Sequence, residues 1–319
     1  MSFISVLFAL LLEQVKPLQR GNPIHAAMRG WVRWCTRSLD AGKPLHGWLA
    51  WSAAALAPAL VALAIYWLLE VFVGWLAALL WSALVLYAAL GFRQFSYHFT
   101  QIRDALAGGD DVLARRLLAD WQQREVKDAP RSEVVGQVIE ASVLAAHRHV
   151  FGVLAWFSVL AAFGLGPMGA VLYRLSEFVV RYWRHQSQLH HQPVSAALQT
   201  SSGLAWERID WLPARVTALS FAVMGNFEEA VDSWRRYVQR EHVGNDGIVL
   251  VATAGAVNVR LSGPDAAQQP DSPTSQDDAQ MERPAPDLPH LAVVVGLVWR
   301  TVVMWVVLLA LLTLARLLG

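Results

Sequence analysis

The stretch LHGWLAWSAAALAPALVALAIYWLL, Leu45 to Leu69, holds 25 residues and no charge. A bilayer's hydrocarbon core is about 30 Å thick, so a helix that crosses it needs about 20 apolar residues in a row. The stretch meets that requirement with more than a turn to spare. Lipid offers the backbone no hydrogen bonds, so a single spanning segment satisfies its own groups by folding as a helix. Outward from this point, Phe72 to Phe92 is also uncharged. Only Glu70 and Val71 lie between the two runs, which predicts a tight hairpin turning there. Val293 to Leu318 is a third span, with its most apolar part from Thr301 to Ala315. Arg300 and Arg316 sit at its edges, where their long stems let the charge reach water.

The composition agrees. The chain has 319 residues, of which 55% are hydrophobic and 16% charged. A soluble domain carries about a quarter charged residues. The formal net charge of +1 gives no bulk field for nucleic acid, and none is expected as a partner. The single cysteine, Cys35, excludes an internal disulfide and a cysteine metal site. Fifteen tryptophans suit a protein that meets membrane interfaces.

The apolar run Ser2 to Leu12 ends at Glu13 and lacks both a basic leading region and a small-residue cleavage site. It reads as an anchoring segment rather than a removable signal peptide, and a half-span fits it as well as a full crossing. Between Val150 and Val180 the motif GLGPMG, Gly164 to Gly169, breaks the pattern. Counted from Val150, each arm is too short to cross, which predicts a re-entrant hairpin. Lys16 to Lys43 holds six basic residues against one acid, Asp40, and the Glu70 turn holds no basic residue. The positive-inside rule puts the first in the cytoplasm, the second outside, and Arg93 to Arg148 back in the cytoplasm.

The polar segments read as amphipathic helices. One covers Phe99 to Trp121, interrupted at Gly108 and Gly109, with Asp110 as N-cap of its second half. Others cover Ser132 to Ala146 and, after a turn at Gly225 and Asn226, Phe227 to Gln239. Gly263 to His290 is rich in Pro, Asp, Gln and Ser and nearly free of apolar residues, so it reads as a disordered tether. The segments are then 1–92, N-terminal membrane helices with a basic loop; 93–148, a cytoplasmic helical segment; 149–262, the hairpin and motif-bearing core; 263–290, the linker; and 291–319, the C-terminal span. The fold class is all-α, a polytopic membrane protein with three or four crossings, one re-entrant hairpin and cytoplasmic amphipathic helices.

No phosphate-binding glycine loop, nucleophile elbow or paired-cysteine motif occurs. His147 and His149 flank Arg148, and His190 and His191 are adjacent. An i, i+2 pair points to different helix faces beside a repelling arginine, so these read as solvated histidines, not metal ligands. Arg174, Glu177 and Arg181 share a helix face, as a surface ion pair or an anion pocket. Arg215, in LPAR (Leu212 to Arg215), either snorkels or holds a phosphate. On a continuous helix it shares a face with Arg208 and Trp211, although Pro213 is expected to disturb that helix.

Five segments, in order, resemble the CobD/CbiB family of cobalamin biosynthesis and its relative AmpE, a membrane protein tied to β-lactamase induction. They are RGNPIHAAMRGWVRW (Arg20 to Trp34), AGGDDVLARRLLADW (Ala107 to Trp121), the Glu133 to Leu175 stretch with its Gly-Pro hairpin, ERIDWLPARVTAL (Glu207 to Leu219) and AGAVNVRLSGP (Ala254 to Pro264). Where the family reads VETVAENTVDG, this chain reads IEASVLAAHRHVFG, keeping Glu140 and losing the later acids. Where the family reads NTLDSMVGY after the hairpin, this chain reads LSEFVVRYW with Glu177 its one acid, and of the family's RxDD motif Arg208 and Asp210 persist. FEEAVDSW (Phe227 to Trp234) is similar to AmpE.

The resemblance implies an inner-membrane, multi-pass protein. It implies a synthase that joins aminopropanol or its phosphate to the carboxylate of adenosylcobyric acid, using ATP and a divalent metal. The alternative it leaves open is a non-enzymatic sensor or accessory protein of AmpE type, which the lost acids favour. The implied candidates are Glu140, Glu177 and Asp210 as catalytic acids and Arg20, Arg208 and Arg215 as anion or phosphate ligands. The implied partners are membrane lipids and a corrinoid intermediate.

Overall fold

In the computed structural model the Leu45–Leu69 run folds within one rod, Pro44–Phe72. The structure describes residues 2–15, 23–122, 129–188, 194–239, 243–261 and 283–318. Among these there is no strand; the protein is all-α, as its sequence implies. The first two helices are α1 (Ser2–Val15) and α2 (Pro23–Leu39). The rod follows as α3 (Pro44–Trp51), a wide π-type turn over Ser52–Leu56, and α4 (Ala57–Phe72). Pro44 starts it, where a missing N–H costs nothing. Pro58 lacks the N–H that would serve Ala54 in an ordinary helix. The wide turn just before it shifts the register, and Ala57 N–H donates to Ser52 O, five residues back.

The turn into α5 (Trp75–Ala89) lies at Val73 and Gly74, not at Glu70 and Val71. Both of its N–H groups donate to Leu69 O, and Gly74 takes φ 111°, a value side chains disfavour. Glu70 sits inside α4. The Phe72–Phe92 run therefore yields a 15-residue helix, closed by extended Leu90, rather than a full-length span. At 1.5 Å per residue it reaches about 22 Å. α1 packs along it, with Val6 and Ala9 buried.

Next come α6 (Phe92–Ala107) and α7 (Asp111–Gln122), with Asp110 Oδ1 accepting from Leu113 N at 2.9 Å as the expected cap. α8 (Arg131–Ala146) begins after Pro130, one residue before Ser132. A π-type turn over His147–Phe151 joins it to α9 (Gly152–Ala162). Together they make a 32-residue rod, Arg131–Ala162, long and apolar enough to cross a membrane. The arm before the Gly-Pro break thus starts at Arg131, not Val150, and the premise that it is too short does not hold.

The break itself falls as expected, with Gly164 and Gly166 at φ 76° and 52°. The remaining helices are α10 (Met168–Gln188), α11 (Ala196–Met224), α12 (Phe227–Val238), α13 (Asn245–Val257) and α14 (Leu288–Leu318). Leu288–Ala315 is the third rod of spanning length. The rods carry apolar side chains outward: Val71 and Phe72 are 77% and 78% exposed, which suits lipid and not water.

The chain forms two compact units, each built from non-contiguous stretches: 1–91, 148–213 and 306–319 in one, 92–147 and 214–305 in the other. The first has a core of Val32, Cys35, Ala50, Ala54, Val179, Trp183 and Leu198. Burial pushes the Cys35 thiol up to about 11. The second centres on Ala218, Tyr237, Ile248 and Ala252. Most of the tether, 263–282, lies outside the described residues. Its exit is fixed in the second unit, where buried Arg283 donates to Glu229 Oε2 (3.2 Å) and Ser233 Oγ (2.6 Å).

Candidate functional site

The buried polar side chains of the first unit include Tyr173, Arg174, Glu177 and Asp210, which a membrane interior would exclude. Three belong to α10, where the residue spacing puts Tyr173 and Glu177 one turn apart. Tyr173 Oη donates to Asp210 Oδ1 of α11 at 2.8 Å, and its ring lies 5.2 Å from that of Trp206. Arg174 Nη1 donates to Glu177 Oε2 at 2.8 Å, while Arg181 Nη1 lies 3.4 Å from Glu177 Oε1. The Arg174–Glu177 contact is a buried ion pair, not the surface pair of the sequence reading. Arg181, 56% exposed, supplies its wet side.

Local sequence explains how these helices come together. Gly152 makes room for the Tyr173 ring, since a Cβ there would overlap its Oη and Cζ. Gly169 lets α10 lie against the Trp156 carbonyl. Pro213 does not interrupt α11, which runs through it. A proline has no N–H, so the carbonyl four residues back, Ile209 O, loses its helical donor. Trp156 Nε1 takes that place at 2.8 Å. The residue after Ile209 is Asp210, so its backbone is tied from α9 and its carboxylate from α10.

The other candidates lie elsewhere. Glu140 is half-buried on α8, in the second unit. Arg208 is exposed on α11, in the first. Arg215 is half-buried in the second unit and donates from Nη1 to Asn245 Oδ1, the first residue of α13, at 3.2 Å. Arg20, like His190 and His191, lies outside the described residues. His147 is not solvated: it is fully buried, with Nδ1 2.9 Å from Thr217 Oγ1. Sequence reasoning did not single out Tyr173 and Trp156. The spacing of Tyr173 to Glu177 was a usable signal; nothing in the sequence points to Trp156.

The profile of the CobD/Cbib protein family matches residues 6–295. This chain belongs to the CobD/CbiB family. It is 30% identical over 280 residues to the cobalamin biosynthesis protein CobD of Stutzerimonas stutzeri, covering 82% of each chain. It is 32% identical over 181 residues to the CobD of Chromobacterium violaceum, covering 56% of this chain and 54% of that one. The CobD of Leptospira interrogans is 25% identical over 194 residues, 59% of this chain and 58% of its own. No solved structure matches.

For a family member, the donor set bears on the metal. Among the described residues no group of three or more His, Cys, Asp or Glu is placed to hold an ion. Glu177 is engaged by two arginines and Asp210 by a tyrosine. These residues do not fit a resident metal cage. A magnesium ion that travels with nucleotide phosphates needs only one or two carboxylates, and belongs to the substrate.

Proposed function

We propose that this CobD/CbiB-family chain is a multi-pass inner-membrane protein that forms the amide between adenosylcobyric acid and aminopropanol or its phosphate. The observation that carries the reading is the family match across residues 6–295. In the reaction the corrinoid carboxylate takes a phosphoryl group from ATP, releasing ADP. The amine then attacks the acyl carbon, the C–N bond forms as the acyl C–O bond breaks, phosphate leaves and the nitrogen gives up a proton. A carboxylate does not expel oxide at neutral pH, which is why activation precedes attack. Asp210 is the acid assigned to that chemistry, and Arg208 of the same helix a cation for phosphate oxygens. Glu177, held by Arg174 and Arg181 of its own helix, is the further candidate acid.

The test is complementation of a strain lacking its CobD/CbiB synthase, grown on cobyric acid. Rescue by the parent and loss on Asp210→Asn support the reading. A second reading, an AmpE-type accessory protein, is favoured by the loss of the later acids in IEASVLAAHRHVFG. It predicts no rescue by a chain that is expressed and inserted. Arg215→Lys separates a two-pronged phosphate grip from a simple snorkelling charge. The grip predicts about tenfold weaker nucleotide binding, since lysine cannot reproduce the planar fork. For topology, cysteines placed at 37 and 103 in a Cys35→Ser background should resist an impermeant reagent in intact cells. One placed at 70 should react.

A further inference from the structure

Helix α2 carries three distinct faces, and one of them is buried against protein. Val32 and Cys35 are buried against Ala50, Ala54 and Trp183. Thr36 shares that side, accepting from Trp183 Nε1 at 2.8 Å. A second face holds Arg29, Arg33 and Arg37, spaced by one turn each and all exposed. A third holds Trp31 and Trp34, stacked 5.2 Å apart, and 40% and 55% exposed. Trp31 is fixed in place by donating from Nε1 to Ala53 O at 3.2 Å.

The rod beside α2 sets its depth. Pro44–Phe72 has 29 residues, about 43 Å of helix, which matches a bilayer with its headgroups rather than the hydrocarbon alone. About 20 residues fill the hydrocarbon, so the first two turns of the rod lie among headgroups. Glu70 marks the opposite end, which places the surplus at Pro44 to Ser52. α2 packs against Ala50, Ala53 and Ala54, at the border of that zone. Trp48 and Trp51 of α3 lie at the same level, 6.1 Å apart. Tryptophan favours the boundary between headgroup and acyl chain, and an arginine row beside it meets the phosphate layer. An ordinary solvated basic face would not carry two exposed stacked indoles along its flank.

We propose that α2 is a binding surface for anionic phospholipid headgroups, with Arg29, Arg33 and Arg37 taking the phosphates and Trp31 and Trp34 seated at the acyl boundary. The full-length protein in neutral detergent is titrated with phosphatidylglycerol or phosphatidylcholine, and binding is read from the rise in unfolding temperature. Phosphatidylglycerol should stabilise the parent, and phosphatidylcholine should not. Removing one arginine, as Arg33→Gln, should weaken phosphatidylglycerol about fivefold, and the triple Arg29→Gln/Arg33→Gln/Arg37→Gln about a hundredfold. All three are exposed, so the triple variant should unfold like the parent in detergent alone. If it does not fold, the single variant decides. Arg235→Gln, on exposed α12 surface, should leave the lipid effect intact. Equal stabilisation by both lipids, full stabilisation by inorganic phosphate alone, or an undiminished effect in Arg33→Gln and the triple variant would each overturn the proposal.

Discussion

Two regions of this protein solve the same problem, close helix packing, with different balances of polar contacts and small residues. In the first unit, α9, α10 and α11 meet through polar groups, Trp156 to Ile209 O and Tyr173 to Asp210, beside the buried Arg174–Glu177 pair within α10. In the second, α12 and α13 meet through small residues. A Cβ on Gly255 would overlap Glu229 O and lie 2.6 Å from Ala230 Cα, and Gly247 sits beneath the Tyr237 ring. The α12–α13 pair joins helices that follow one another in the chain. Asn226 caps the start of α12, its Oδ1 accepting from Glu229 N at 3.2 Å, and its N donates to Ala256 O near the end of α13 at 2.9 Å. The polar region brings together residues 37 and 53 apart. Small-residue packing fails on added volume, as it would at Gly152 and Gly169 in the first unit too. Polar packing fails in addition when one partner is removed.

The largest expected effect breaks the polar side of this contrast. Glu177→Ala should cost ~3–5 kcal/mol of stability in denaturant titration, because it leaves the Arg174 guanidinium buried without its partner. The double variant Arg174→Met/Glu177→Leu should recover most of that loss. A single variant as stable as the parent would show that the pair is dispensable. On the other side, Gly255→Ala should cost up to ~3 kcal/mol, since the obstacle is backbone and cannot swing away. Gly296→Ala, with nothing within 4 Å, is the matched control and should be neutral or slightly stabilising.

Tyr173→Phe sharpens the comparison further. It keeps the ring over Gly152 and removes one hydrogen bond to a buried carboxylate, for an expected loss of ~2 kcal/mol. The smallest effect is a cycle. Trp156→Phe should cost ~1 kcal/mol by stranding Ile209 O, and adding Pro213→Ala should restore it by returning the helical N–H. If the two substitutions add independently in thermal unfolding, the tryptophan does not serve the carbonyl that the proline freed.

The candidate site was legible to different depths. Glu177 and Arg174 stood out as charges in apolar surroundings, which need a reason to be there, and Asp210 through the family resemblance. Tyr173 and Trp156 did not, because aromatic residues are frequent here and their partners are far along the chain. The histidine reading failed at His147 because burial depends on the partner Thr217, 70 residues away.

The sequence alone determined the class of the protein. Uncharged runs of about 20 residues fix helices and a bilayer, since length and apolarity act locally and need no partner. Asp110, Asn226 and the Gly164–Gly169 break set helix ends for the same reason. Tertiary structure decided what depended on a partner or on continuity. It extended the hairpin arm back to Arg131 and shortened the second run to 15 residues. It also kept α11 continuous through Pro213, with a donor from another helix for the freed carbonyl. A free carbonyl or a buried charge is satisfied only by a group that the fold delivers, and no local pattern records which group that is.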